Sequence, residues 1–358
     1  MNTTPIRLLA TAGALAAAAV LQPAAAADYP PPAQGDWVVK DFRFHTGQVL
    51  PELKLHYTTI GAPTGQPVLF LHGTAGSGPK LLTPALAGQL FGPGQPLDAA
   101  RYFIILPDAI GTGASSKPSD GLRMQFPAYN YDDMVRAQYR LVTEHLGLKH
   151  LRLVIGQSMG GMQTWMWAQQ YPGFMDAAVP MASVPAAMSG RNWMMRRLIS
   201  EAIRRDPTWN NGNYTEQPPG FRLGSVFFGL ATSGGTQGIY KDTSTSAKAD
   251  AYLDKRLAEP LPGDANDQLL QWESSRDYDA SAGLEKIRAR VLAVNAADDE
   301  RNPPELGLLE KGMQRVKGGR ILLIPASEQT AGHGTTGSAK WFSKELAELM
   351  ESAPVVKD

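Results

Sequence analysis

Leu151-Arg152-Leu153-Val154-Ile155-Gly156-Gln157-Ser158-Met159-Gly160-Gly161-Met162 is the stretch on which the reading of this chain turns. The apolar, β-branched run Leu151, Leu153, Val154, Ile155 reads as a buried strand, a G-x-S-x-G turn follows, and Met162 to Tyr171 has helical character. Strand, sharp turn and helix in that order force a serine to the apex in a strained conformation. Small residues at Gly156 and Gly160 let the helix and strand approach each other. Ser158 then projects its hydroxyl into a site faced by the first backbone N–H groups of the next helix. Gly and Ser are common in ordinary turns, so the flanking strand and helix give the motif its weight.

Moving outward, Val68 to Leu71 and Tyr102 to Leu106 are short continuous apolar runs, expected as parallel strands buried on both faces. They lead into His72-Gly73-Thr74-Ala75-Gly76 and Pro107-Asp108-Ala109-Ile110-Gly111. Earlier still, Trp37 to Phe44 and Leu53 to Ile60 predict two antiparallel strands joined through His45-Thr46-Gly47, with His45 and His56 as strand-face residues. Between Phe126 and Gly147 a helix is expected, capped by Asn130, with Val135, Tyr139, Val142 and Leu146 at three- and four-residue spacing. Ala177 to Met181 predicts the next strand. Alternation resumes with strands at Arg290 to Asn295 and Arg320 to Ile324, a helix from Pro304 to Val316 between them, and a last helix from Ala339 to Met350.

The 358 residues are 43% hydrophobic and 19% charged, enough for one large core carrying an insertion. Formal net charge is zero and no Lys/Arg block stands out, so composition gives no electrostatic reason for a nucleic-acid or membrane partner. A small or neutral substrate fits better. Arg7, the apolar run Leu8 to Leu21 and the small residues Ala25-Ala26-Ala27 predict a leader removed near Ala27, hence a soluble protein exported to the periplasm or beyond. No twin-arginine pair occurs, and the absence of Cys rules out disulfides and a lipid-modified cysteine. The expected organisation is a leader (1–27), a Pro-rich tether (28–35), a first core segment (36–182), a helical cap (183–284) and a second core segment (285–358). In the cap, Trp193, Met194, Met195, Trp209, Phe227 and Phe228 admit two readings: a substrate cleft, or the cap's own core. The fold class is α/β, a mostly parallel sheet covered on both faces.

A serine hydroxyl is a weak nucleophile at neutral pH and needs a base, usually histidine, oriented by a carboxylate. On a strand-elbow-helix scaffold the partners follow the serine in the order acid, histidine. His45, His56, His72, His145 and His150 all precede Ser158, leaving His333 in the Gly332-His333-Gly334 loop. The acid is expected just beyond Arg290 to Asn295, in Ala297-Asp298-Asp299-Glu300-Arg301-Asn302-Pro303. Glu300, with the longer arm, is expected to face solvent; Asp299 is preferred for its spacing to Pro303, and Asp298 stays open. The Met159 and Thr74 N–H groups are the expected oxyanion donors, each worth about 3 to 4 kcal/mol of transition-state stabilisation. His72 reads as a loop-fixing residue. No metal constellation is present, and Gly111-Thr112-Gly113 lacks the third glycine of a dinucleotide site, so no cofactor is expected.

With these residues placed, the chain resembles an α/β-hydrolase, and more narrowly the homoserine O-acetyltransferase branch. The similarity lies in Tyr131-Asp132-Asp133-Met134-Val135-Arg136-Ala137-Gln138, in Gly156 to Gln163, and in Ala202-Ile203-Arg204-Arg205-Asp206-Pro207 followed by Gly212-Asn213-Tyr214. The resemblance implies Ser158 as acylated nucleophile, Asp299 as orienting acid, His333 as base, and a homodimer through the cap. In the transferases an aspartate that binds the homoserine amine follows the histidine; here Gly334 follows. Ser225 stands where the family has the arginine that holds the acceptor carboxylate, and Arg222 is out of register. Gly73 and Thr74 replace the usual small-then-leucine pair of the oxyanion loop. Loss of charge-assisted anchors weakens a zwitterionic acceptor, and an exported enzyme lacks cytosolic acetyl-CoA, so water is the expected acceptor. The expected activity is therefore ester hydrolysis, with amide or lactone as wider possibilities. Acyl transfer to a small hydroxyl acceptor, and a non-catalytic ligand trap on the same fold, are the alternatives.

Overall fold

The computed structural model describes Met1 and residues 28–261 and 263–354; residues 2–27 of the expected leader lie outside the described residues. Strands β1 (Ala33–Arg43), β2 (Val49–Ile60), β3 (Gln66–Leu71), β4 (Tyr102–Pro107), β5 (Leu151–Gln157), β6 (Met175–Met181), β7 (Arg290–Ala296) and β8 (Arg320–Ile324) form one sheet. Their order is β1-β2-β4-β3-β5-β6-β7-β8. The first two strands pair antiparallel to each other, and β2 pairs antiparallel to β4; every other neighbour is parallel. Strand β5, which leads into Ser158, thus lies in the sheet's interior, between β3 and β6.

Continuous apolar runs form these strands because each strand feeds two cores. Leu69 and Leu71 of β3 and Phe103 and Ile105 of β4 face one side, with Trp165 and Trp167; Val68, Phe70, Ile104 and Leu106 face the other, with Leu346 and Leu349. The first side is covered by α1 (Tyr131–Arg140) and α2 (Met159–Gln170), the second in part by α9 (Ser343–Ser352). Asn130 caps α1, its side chain accepting from the Asp133 N–H while the Asp133 carboxylate accepts from the Asn130 N–H.

Several boundaries differ from the sequence reading. β1 begins at Ala33, inside the span read as a tether, because residues 33–36 already pair with 56–59 of β2. Helix α2 starts at Met159, directly after the serine. The helix expected over 304–316 is only α8 (Leu308–Met313), since Gly307 at φ 60° breaks it from a short turn at Pro304–Leu306. α9 starts at Ser343, behind a separate turn at Ala339–Trp341. His45 is not a strand-face residue: it sits in the turn after β1, where its Nδ1 lies 2.7 Å from Asp133 Oδ2. His56 does lie on β2, paired across to Asp36 at 2.7 Å.

Between β6 and β7 come α3 (Gly190–Arg204), α4 (Pro219–Thr232), α5 (Thr236–Asp242), α6 (Ser246–Ala258) and α7 (Ala265–Glu273), with no strand among the described residues. This layer has its own core, in which Ile199, Ile203, Phe221 and Leu269 enclose Trp209, Phe228 and Trp272. Trp209 and Phe228 therefore serve packing, whereas Met194 and Phe227 are exposed. None of the six cap residues singled out in the sequence lines the cleft at Ser158.

Candidate active site

Ser158 sits between β5 and α2 at φ 56° and ψ −115°, a conformation costly for a non-glycine residue. It persists because three tight approaches leave the turn no alternative. A Cβ on Gly156 would collide with the Gly160 carbonyl, one on Gly160 with the Leu71 carbonyl, and one on Gly161 with that of Met181. Strand and helix meet here at backbone contact, and the serine is left at the corner.

The elbow meets two other loops. His333, in the loop after β8, places Nε2 2.7 Å from Ser158 Oγ. Its Nδ1 lies 2.9 Å from both oxygens of Asp299, in the loop after β7. An ionised carboxylate only accepts, so Nδ1 carries the proton and Nε2 is free to accept from the serine. Asp299 is 1% exposed. Its Oδ1 accepts from the backbone N–H groups of Arg301 and Asn302 at 2.9 and 3.2 Å, and its Oδ2 from Asn302 Nδ2 at 3.0 Å. Burial alone would push this carboxyl up; the His333 ring and these donors outweigh it and hold the group at about 2.

Asp298 plays a different part. Its Oδ2 accepts from Thr330 Oγ1 at 2.7 Å and from the Gly332 N–H at 3.3 Å, tying down the histidine loop. Glu300, expected to face solvent, is half-exposed. Its Oε2 is buried against Gly332 without a hydrogen-bond partner, and burial, with Asp299 and Asp298 nearby, pushes its carboxyl up.

On the far side, the loop after β3 is held from two directions. His72 Nε2 accepts from the Ala109 N–H at 3.0 Å, which places the proton on Nδ1, 2.7 Å from the Gly73 carbonyl it donates to. Ala75, at φ 61°, donates its N–H to Gln271 Oε1 of cap helix α7 at 2.5 Å. The Ala75 N–H is therefore occupied, and that of Thr74 has no backbone or side-chain partner among the described residues. A Cβ on Gly73 would lie 3.4 Å from Ser158 Cβ, so this loop runs directly against the serine. Thr74, Ser158, His333 and Arg301 line one cleft of about 190 Å³. Met159, next after the serine, opens α2, where the first N–H groups have no intrahelical partner. The sequence reading passed over Gln271, Asn302 and Arg301. Only the two in the acid loop lay in a stretch already under scrutiny.

Burial lowers His333 below the usual histidine value, and the Arg301 charge lowers it further against the opposing pull of Asp299. A base that must be neutral to accept a proton then works at lower pH than an exposed imidazole. The expected kcat/KM profile loses activity only as pH falls through an apparent pKa below about 6.5. Replacing Arg301 by Gln removes one lowering cause, so the acid limb moves to higher pH. A shift the other way in a pH titration of the variant would contradict this electrostatic picture.

Residues 66–310 match the family model described as alpha/beta hydrolase fold. The chain belongs to that family. Among relatives of this chain, a probable acyltransferase of Methanothermobacter thermautotrophicus is 27% identical over 276 residues, 75% of this chain and 83% of the relative. A homoserine O-acetyltransferase of Solidesulfovibrio magneticus is 37% identical over 192 residues, 49% of this chain and 48% of that protein. The likeness to that transferase thus runs through only about half of its length. An acetylester hydrolase from Corynebacterium glutamicum shares the fold, with a TM-score of 0.76 at 23% identity over 89% of this chain and 96% of that structure.

Proposed function

We propose that the protein is an exported serine hydrolase that cleaves a carboxylic ester through an acyl-enzyme on Ser158. The observation that carries this reading is the 2.7 Å approach of His333 Nε2 to Ser158 Oγ, with Asp299 on the opposite ring nitrogen. Ser158 Oγ attacks the acyl carbon as His333 takes its proton, and Asp299 stabilises the imidazolium so formed. The carbonyl oxygen, gaining negative charge, is received by the Thr74 and Met159 N–H groups. His333 returns the proton to the departing alcohol, and a water molecule, activated by the same ring, releases the acid. No cofactor enters these steps.

Acyl transfer is the second reading, favoured by the names of the relatives. Two residues argue for water instead. Gly334 brings no carboxylate to an acceptor amine, and Arg222 is spent on the carbonyls of Leu257 and Glu259 at the end of α6. The deciding assay supplies an acetyl ester, with and without homoserine, and acetyl-CoA with homoserine, and identifies products. Free acetate without O-acetylhomoserine is the expected outcome; O-acetylhomoserine as the main product would overturn the hydrolase reading.

Export rests on the leader composition of residues 1–27. The expected mature N-terminus is Asp28, read by sequencing protein recovered from outside the cytoplasm. An intact Met1 in active cellular protein would remove that part of the proposal.

A further inference from the structure

Two arginines at the junction of cap and core, Arg196 buried and Arg301 half-buried, have no carboxylate partner among the described residues. Arg196, on α3, is 1% exposed, yet its guanidinium bonds only to neutral oxygens, Asn192 Oδ1 at 2.8 Å and Ser275 Oγ at 3.3 Å. Arg301, which lines the Ser158 cleft, bonds to the hydroxyls of Thr232 at 3.1 Å and Ser233 at 2.9 Å. Neither forms an ion pair among the described residues. Each lies over an aromatic face, Arg301 at 4.4 Å from the centre of the Phe228 ring and Arg196 at 5.2 Å from that of Trp272. Aromatic faces and hydroxyls orient a guanidinium but do not neutralise it.

An unpaired charge drawn out of water, fully for Arg196 and in part for Arg301, is costly, and two like charges in one place more so. The two cations act on each other and on His333: burial and then Arg196 pull Arg301 down to about 9, and both arginines lower the histidine. Asp299 and Glu300 oppose this from a distance, but Asp299 is engaged by His333 and Glu300 makes no ion pair with either arginine. A third polar group shares the place, the buried Tyr131 hydroxyl beside Arg196 and Thr74. A protein keeps such an arrangement where a ligand supplies the missing anion, and a planar guanidinium suits a carboxylate.

We propose that Arg301, backed by Arg196, forms an anion subsite beside Ser158, and that the substrate is an ester carrying a free carboxylate. This rests on the serine-hydrolase reading above and narrows its substrate class. The carboxylate belongs to either the acyl or the alcohol portion, and both arms are tested.

The experiment compares kcat/KM for p-nitrophenyl hemisuccinate (charge on the acyl side) and O-acetylglycolate (charge on the alcohol side) with their neutral methyl esters. At least a tenfold preference for one charged ester is expected in the wild type, expressed mainly in KM. In Arg301→Gln the charged-to-neutral ratio falls at least tenfold, and Arg301→Lys restores part of it. No preference in the wild type, or an equal loss on charged and neutral esters in Arg301→Gln, overturns the subsite. A separate binding arm uses Ser158→Ala and titrates monomethyl succinate and O-acetylglycolate against dimethyl succinate by calorimetry. Charge-dependent binding there, lost on adding Arg301→Gln, upholds the subsite even if no ester is turned over, which would sink the hydrolase reading alone. Binding that ignores the charge overturns the subsite alone.

Discussion

Ser158→Ala is expected to lower kcat for ester hydrolysis on the order of 10⁴- to 10⁶-fold, about 5 to 8 kcal/mol of barrier, while the protein stays folded. The size follows from what the hydroxyl does: without it no acyl-enzyme forms, and His333 has only water to activate. The remaining rate is what the oxyanion donors and substrate positioning supply unaided. Folding is spared because only Oγ is lost, and the φ of 56° is imposed by Gly156, Gly160 and Gly161 rather than by the hydroxyl. Steady-state kinetics, thermal unfolding and labelling by a fluorophosphonate check the three parts together. A folded variant within about tenfold of wild-type kcat would show that the chemistry lies elsewhere.

Asp299→Asn is expected to cost about 10⁴-fold in kcat. The carboxylate accepts from His333 Nδ1–H; an asparagine that keeps its oxygen on the Arg301 and Asn302 backbone N–H groups puts its NH2 where Oδ2 now sits, so an N–H faces that nitrogen instead. The ring then carries its proton on Nε2, and the atom 2.7 Å from Ser158 Oγ no longer accepts. Asp298→Asn makes the control. That side chain reaches Thr330 and Gly332, so its loss loosens the loop that presents His333 and is expected to cost less than about 100-fold. Kinetics of the two variants side by side give the answer. If Asp298→Asn were the crippled one and Asp299→Asn nearly normal, the assignment of the acid would be reversed.

Much of the fold was legible because buried parallel strands write continuous apolar runs and an elbow writes small residues at fixed spacing. Val68 to Leu71, Tyr102 to Leu106 and Leu151 to Ile155 all fall within strands of the sheet. The meeting of Ser158 and His333 was legible from chain order, since a single histidine follows the serine, whereas the order left Asp299 and Asp298 both open. Helix ends were less so, because Gly307 and the turn at Ala339–Trp341 interrupt patterns whose apolar spacing continues through them. Charges across the cap boundary left no periodic mark at all. Arg196 and Arg301 come together only when α3 folds over the loop after β7, and Gln271 meets Ala75 across 196 residues of chain. The acid loop was read for its carboxylates, and the arginine beside them went unconsidered.

The bond from Gln271 to Ala75 bears on how substrate is admitted. Since α7 grips the segment proposed to receive the oxyanion, swinging that helix away would release the Ala75 N–H and loosen the segment beside Ser158. Grafting a foreign lid onto this scaffold would therefore have to reproduce that side-chain-to-backbone clasp before any choice of substrate could matter.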